Sequence, residues 1–249
     1  MNRVTFEDIY NAGVIAIITD TYNHFHLPDM PLYYDSNFIE FKKMPIVSEF
    51  KKAEHELKNY HSARGQHHLK FTFPQDEPIS KELTAYLNRE DYEIGFLELY
   101  ALSPKDFPVT SLSSAIKVLP VTASNLEEFL HLQRTIDEQF GKEFAAQKQL
   151  QHKKNFSNPD FLQLIAYFDE EVAGSVDLII QAQTVEIDGL HVLEKMRHKG
   201  VGSQLQRWLM DRFPNKLVVL VADGEDTPRE MYQRQNYKLL GYQYEAVKT

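Results

Sequence analysis

The chain reads as an α/β protein in two parts. Three observations carry that reading: its length, a Pro- and Ser-rich stretch near the middle, and the alternation of strand-period and helix-period apolar patterns on either side of that stretch. At 249 residues it holds one large domain or two small ones. The stretch Ser103–Ser114 (SPKDFPVTSLSS) has few apolar anchors and suits an exposed connector. The expected organisation is therefore a domain over 1–103, a linker over 104–114 and a larger domain over 115–249.

In the first part a mixed segment extends to about His26. A strand is expected within Leu32–Phe41, then a helix over Ile46–His61 with Val47, Phe50, Ala53 and Leu57 at helical spacing. His68–Phe73 alternates as a strand, Ile79–Leu87 follows Pro78 as a helix, and Tyr92–Leu102 is a strand.

In the second part, Ala115–Pro120 is a short strand. Ser124 with Glu127 three residues on makes a capping-box pattern for a helix to about Phe140. Glu143–Lys153 is a second helix. Phe161–Phe168 and Val172–Gln181 form a hairpin around Asp169–Glu171, and Thr184–Val192 is another strand. Gly200–Arg212 is helical, with Val201, Leu205, Trp208 and Leu209 on one face. Leu217–Ala222 is a buried strand, Pro228–Gln235 a short helix, and Leu239–Ala246 a closing strand.

Composition narrows the chemistry. The 36 acidic residues exceed the 27 basic ones, giving −9, which disfavours wholesale binding to nucleic acid. The acidity is uneven: 11 basic and 17 acidic residues fall in 1–114, against 16 and 19 in 115–249. With no cysteine, disulfides, thiolate metal sites and thiol nucleophiles are absent together. The longest apolar runs, such as Val14–Ile18 and Leu217–Ala222, fall far short of the ~20 residues of a membrane span. Glu7 and Asp8 precede any apolar run, unlike a signal peptide, so a cytoplasmic protein without a membrane partner is expected. The ten histidines show no H-x-x-x-H or HExxH spacing, and no metal is expected.

The stretch richest in chemistry is Val185–Trp208. A strand ends near Val192, the basic turn Arg197-His198-Lys199-Gly200-Val201-Gly202 follows, and a helix starts at once. Glycines let backbone approach a ligand, and a helix N-terminus flanked by Arg197 and Lys199 is an anion site suited to a pyrophosphate. It is neither a P-loop nor a dinucleotide fingerprint.

The Arg-x-x-Gly-x-Gly pattern after a strand resembles the acyl-CoA loop of the GNAT superfamily of N-acyltransferases. Leu190-His191-Val192 is similar to the end of the family's fourth strand. PREMYQRQNYKLLGY, from Pro228 to Tyr242, is similar to its later helix–strand segment. With the order of elements from Ala115 on, the resemblance covers about 135 residues.

It implies an N-acetyltransferase that uses acetyl-CoA as cosubstrate and a small-molecule or peptide amine as acceptor. Leu190, His191, Val192 and the loop Arg197, His198, Lys199, Gly200, Val201, Gly202 and Ser203 would hold the cofactor. Glu186, eleven residues before Arg197, would be the general base, with Asp188 or a water chain as alternatives. Tyr232 would protonate the departing thiolate, and the backbone N–H of Val192 or a neighbour would bind the oxyanion. Many members carry an asparagine seven residues before the tyrosine, where this chain has Glu225. That departure motivates an alternative: a CoA-binding regulatory module that has lost turnover. The first part follows the later order of the same fold, but its turn Lys42-Lys43-Met44-Pro45 has no glycine, so it reads as a degenerate copy, with an unrelated small α/β domain as the alternative.

Overall fold

The computed structural model describes residues 4–109, 112–225 and 228–249. In chain order the first half forms β1 (Val14–Ile18), β2 (Tyr22–His26), β3 (Phe38–Phe41), α1 (Val47–Ser62), β4 (Leu69–Thr72), α2 (Lys81–Arg89) and β5 (Glu93–Leu102). The second forms β6 (Ile116–Pro120), α3 (Leu126–Asp137), α4 (Lys142–Phe156), β7 (Phe161–Phe168), β8 (Glu171–Ile180), β9 (Thr184–Val192), α5 (Val201–Arg212), β10 (Leu217–Asp223), α6 (Pro228–Arg234) and β11 (Lys238–Lys248). Two compact units result. The first comprises Met1–Leu99, Ala222–Thr227 and Leu240–Thr249; the second comprises Tyr100–Val221 and Pro228–Leu239.

In the first unit β1 and β2 form an antiparallel hairpin, β2 pairs antiparallel with β3, and β3 pairs parallel with β4. The parallel step needs a crossover, which α1 supplies. β11 closes antiparallel on β4, with Ala246 opposite Phe71. The helical spacing in α1 buries Phe50, Ala53 and Leu57 against Phe41, Phe71 and Phe73 of the sheet. The Phe41 ring stacks at 5.9–6.0 Å on Phe50, Phe71 and Phe73. Lys70, on the opposite face of β4, is buried and paired to Asp35 at 2.5 Å and Glu245 at 2.7 Å.

The hairpin β1–β2 falls in the segment that sequence left as mixed. Its second strand alternates Tyr22, His24 and His26 inward, all buried, so histidines stand where apolar residues would mark a strand. His24 packs edge-on to Tyr60 at 4.4 Å, and His61 Nδ1–H donates to the His68 carbonyl at 2.7 Å. Burial lowers His24 and His68 to about 4, so both are neutral near pH 7. Ser80 is the N-cap of α2, and its hydroxyl accepts from the Leu83 N–H at 3.2 Å. Ser80→Ala is expected to destabilise the first unit by about 1 kcal/mol in urea unfolding.

The second unit runs β10-β9-β8-β7-β6. Its hairpin β7–β8 turns at Asp169 and Glu170, with φ of 47° and 66°, the geometry a tight two-residue turn requires. β8–β9 is antiparallel and β9–β10 parallel, with α5 as the crossover. This repeats the order antiparallel, parallel, helix seen in β2, β3, α1 and β4. One local expectation needs correction. Asn125, not Ser124, is the N-cap residue of α3, and its Oδ1 accepts from the Thr122 N–H at 2.6 Å instead of capping the helix. A shorter polar side chain two or three residues from a backbone donor competes well with a helix cap.

Candidate functional site

β9 is a forked strand. It pairs with β8 as far as Val192, opposite Gly174. With β10 the pairing covers only Thr184–Ile187, opposite Leu217–Leu220. Between Asp188, opposite Asp177, and His191, opposite Ser175, three steps on β9 match two on β8. The extra residue is a bulge, and Gly189 at φ 60° supplies the left-handed backbone it needs. The facing residue must also be small: a Cβ on Gly174 would lie 2.5 Å from the His191 carbonyl oxygen. A bulge bends a strand, so Leu190–Val192 turns away after the ladder with β10 has ended.

The basic turn follows this bent end. Leu193 bonds back to the Ala173 carbonyl, and a single turn over Glu194–Met196 buries Met196. Arg197, His198, Lys199 and Gly200 are exposed. The Arg197 Nε lies 3.5 Å from the Val192 carbonyl, and the Lys199 ammonium sits 4.7 Å over the Phe168 ring. Two residues of this loop have positive φ, His198 at 61° and Gly200 at 91°. A non-glycine residue held there stores strain of a kind that collects at binding loops. α5 then starts at Val201 with no side-chain cap and no acid in its first turn. Its first N–H groups have no partner within the helix and carry its positive dipole end. A Cβ on Gly202 would meet Val192 Cγ2 at 3.5 Å and Leu190 Cδ2 at 3.8 Å, so the helix start, Leu190 and Val192 form one surface. Val201 is buried and Ser203 half-buried.

The matching position in the first unit differs in the decisive detail. The N–H of Ile46, before α1, donates to the Glu49 carboxylate at 3.1 Å. A carboxylate of the chain already occupies that helix end, where an external anion would meet like charge.

Glu186 and Asp188 share a face of β9, since side chains alternate. Glu186 is buried at 6 % exposure between Ile179 and Val219 in the ladder; Asp188 is half-buried opposite Asp177. On that face α3 and α4 add a buried polar cluster that sequence reading missed. His152 Nε2 lies 3.2 Å from Asp137 Oδ2, and its Nδ1 lies 3.7 Å from Asp177 Oδ2. Gln163 donates to the His152 carbonyl and to Asp177, and Gln133 donates to Ser175 Oγ at 3.2 Å. Burial works to lower the His152 pKa, but the hydrogen bond to Asp137 and the nearby Asp177 carboxylate outweigh it and raise the imidazole above its ordinary value. His191 is exposed and within electrostatic reach of Asp137 and Arg197. The signal for this cluster was legible: Ser175 and Asp177 interrupt an otherwise apolar strand at period two.

Tyr232 lies on α6, half-buried, with its ring 5.4 Å from Tyr100 and 5.5 Å from Tyr237. Tyr237 donates from its hydroxyl to Gln206 Oε1 at 2.9 Å. Glu225 is exposed in the turn after β10, its N–H bonded to Asp223 Oδ1 at 2.9 Å. The neighbouring Asp226 and Thr227 lie outside the described residues. The site thus brings Leu190, Val192, Arg197 and Gly202 together and sets Glu186 and Asp188 on one strand face. Among the described residues no group of three or more histidines and acids is placed to hold a metal, and no helix is long and apolar enough to cross a membrane.

Comparison with known proteins follows the same division. Residues 4–100 match a domain of unknown function (DUF5613), and residues 126–237 match the acetyltransferase (GNAT) family. No curated protein matches the sequence. A functionally unknown conserved protein from Staphylococcus epidermidis is similar at 32 % identity, covering 98 % of this chain and 97 % of that one, with a TM-score of 0.91. A GCN5-related N-acetyltransferase from Kribbella flavida shares the fold at 13 % identity over 93 % and 88 % of the two chains, TM-score 0.63. A tandem GNAT protein from the clavulanic acid biosynthesis pathway does so at 9 % identity over 85 % and 74 %, TM-score 0.56. The second part of the sequence carries an acetyltransferase domain of the GNAT family over residues 126–237, and a second domain precedes it.

Proposed function

We propose that this protein is an N-acetyltransferase of the cytoplasm that moves an acetyl group from acetyl-CoA directly to an amine of a small molecule or peptide. The observation that carries the reading is the uncapped, acid-free N-terminus of α5, flanked by Arg197 and Lys199 at the bent end of β9. GNAT proteins use acetyl-CoA, and these groups suit its pyrophosphate. The N–H groups of Gly200–Ser203 and the two cations would hold the phosphates. The edge of Leu190–Val192, beyond the ladder with β10, offers backbone groups to the pantetheine arm, a contact that needs no particular side chain.

An alkyl ammonium of pKa ~10.4 must lose a proton before it can attack. Asp188, the more open carboxylate, or Glu186 through water would accept it. The amine nitrogen bonds to the thioester carbon, the Val192 N–H steadies the resulting oxyanion, the adduct nitrogen gives up its second proton to water, and the C–S bond breaks as the carbonyl re-forms. Tyr232 would donate its phenolic proton to the sulfur and recover one from solvent. With no cysteine in the chain, no thiol acyl-enzyme can intervene.

Calorimetry with CoA, followed by thiol release from acetyl-CoA across an amine panel, tests the reading. Tight binding with turnover supports it. Binding without turnover favours the regulatory module that Glu225 suggests, and no binding overturns both. Arg197→Gln together with Lys199→Gln is expected to weaken CoA binding by at least about 10-fold, less so at high salt, because charge-assisted bonds to phosphate are lost.

A further inference from the structure

β1 is an edge strand built only of apolar residues. Val14, Ile15, Ile17 and Ile18 are between 40 % and 70 % exposed, and Ala16 is exposed with them. One side of the strand bonds to β2; among the described residues no strand takes the other. Soluble proteins blunt such edges with lysine, proline, a bulge or a covering element; Val14–Ile18 carries no charge and no proline, and its one interruption is the bulge at Ala16. The chain is acidic, −6 over residues 1–114, so an anionic lipid surface would repel it. Two copies of an uncharged strand meet no like charge across the ladder.

We propose that β1 pairs antiparallel with β1 of a second copy of this chain, about a two-fold axis at Ala16. The segment V-I-A-I-I is nearly palindromic. Under that axis Val14 faces Ile18 of the copy, Ile15 faces Ile17, and Ala16 faces Ala16. Every position meets an apolar partner, which is the self-complementarity a two-fold interface requires. The symmetry closes on itself, so the product is a dimer and not a fibre. Ala16 is also the bulged residue of β1: Ile15 pairs with Phe25 and Ile17 with His24. The smallest side chain therefore sits at the axis, where the ladder with β2 is irregular. Five residues fall short of the ~800 Å² per partner of a standard interface, so a micromolar rather than obligate dimer is expected.

The absence of cysteine makes a direct test possible, because Ala16→Cys introduces the sole thiol. Residues opposite each other in an antiparallel pair have Cα atoms ~4.5–5.5 Å apart. A disulfide spans ~4.4–6.8 Å. The wild type is expected to sediment as a dimer at micromolar concentration, and Ala16→Cys to become mostly covalent dimer on mild oxidation. Leu150→Cys, exposed on α4, should stay monomeric on the same gel. The double variant Ile15→Lys, Ile17→Lys should sediment as a monomer with an unchanged circular dichroism spectrum. If it does not fold, the cross-link decides alone. A monomeric wild type without cross-linking through Ala16→Cys overturns the proposal. So does a Leu150→Cys cross-link of equal speed, or a dimer indifferent to both changes. Binding to phosphatidylglycerol vesicles by a chain that stays monomeric would overturn it too, assigning the strand to a membrane. Acetyl transfer enters none of these readouts.

Discussion

Gly202→Trp is expected to lower CoA affinity at least ~100-fold, close to 2.7 kcal/mol, while the protein stays folded. Gly202 is the second residue of α5, and a Cβ there has ordinary van der Waals contacts with Val192 and Leu190, at 3.5 and 3.8 Å. A methyl therefore fits, and Gly202→Ala should bind within a few-fold of wild type. An indole does not. It must extend along the surface shared by Leu190, Val192 and the first turn of α5, in front of the N–H groups that would face the phosphates. The left-handed position of the turn, Gly200 at φ 91°, is untouched, so the helix start survives. Calorimetry of the three proteins with CoA separates the cases. Unchanged binding by Gly202→Trp would remove the anion loop from the account. Equal loss in Gly202→Ala would mean backbone flexibility matters rather than space.

Much of this surface was legible before any coordinates. Thr184–Val192 matches β9 end to end, and α5 and β7 were placed to within a residue. These elements are long, strongly periodic and punctuated by glycine or a tight polar turn, so pattern and boundary agree. The bend in β9 was within reach as well, since an isolated glycine inside a strand pattern signals a bulge. The β1–β2 hairpin was not, because His24 and His26 hold inward positions as neutral, buried imidazoles and the code of alternating hydrophobicity does not register them. The end of β11 shows a different limit. Leu240–Thr249 follows the acetyltransferase segment in sequence but packs in the first unit, and no local pattern says which sheet a closing strand joins. The cap of α3 was misplaced by one residue because Ser124 and Asn125 are both good caps and only their competing turn bonds decide.

His152→Leu is expected to destabilise the second unit by about 3–5 kcal/mol, the cost of leaving one side of a buried ion pair uncompensated. His152 is buried between Asp137 at 3.2 Å and Asp177 at 3.7 Å, and Lys148, whose charge acts in the opposite sense, is the cation that bears on it. Without the imidazolium, two carboxylates face each other under α3 and α4. The pH dependence has a definite sign. The folded pKa of His152 lies above the ordinary ~6.5, so its stabilisation is whole below pH ~6.5 and is lost as pH rises through the folded value. Urea unfolding of wild type and variant should therefore show the largest gap near pH 6 and a smaller one near pH 9. A gap that does not change with pH would mean the ring acts by shape alone. The same charge bears on the candidate site, because Asp177 stands opposite Asp188 in the ladder. Removing a positive charge from behind a carboxylate makes it easier to protonate. If Asp188 accepts the amine proton, the acidic limb of kcat/KM in His152→Leu moves to higher pH, an effect that a purely structural loss would not produce.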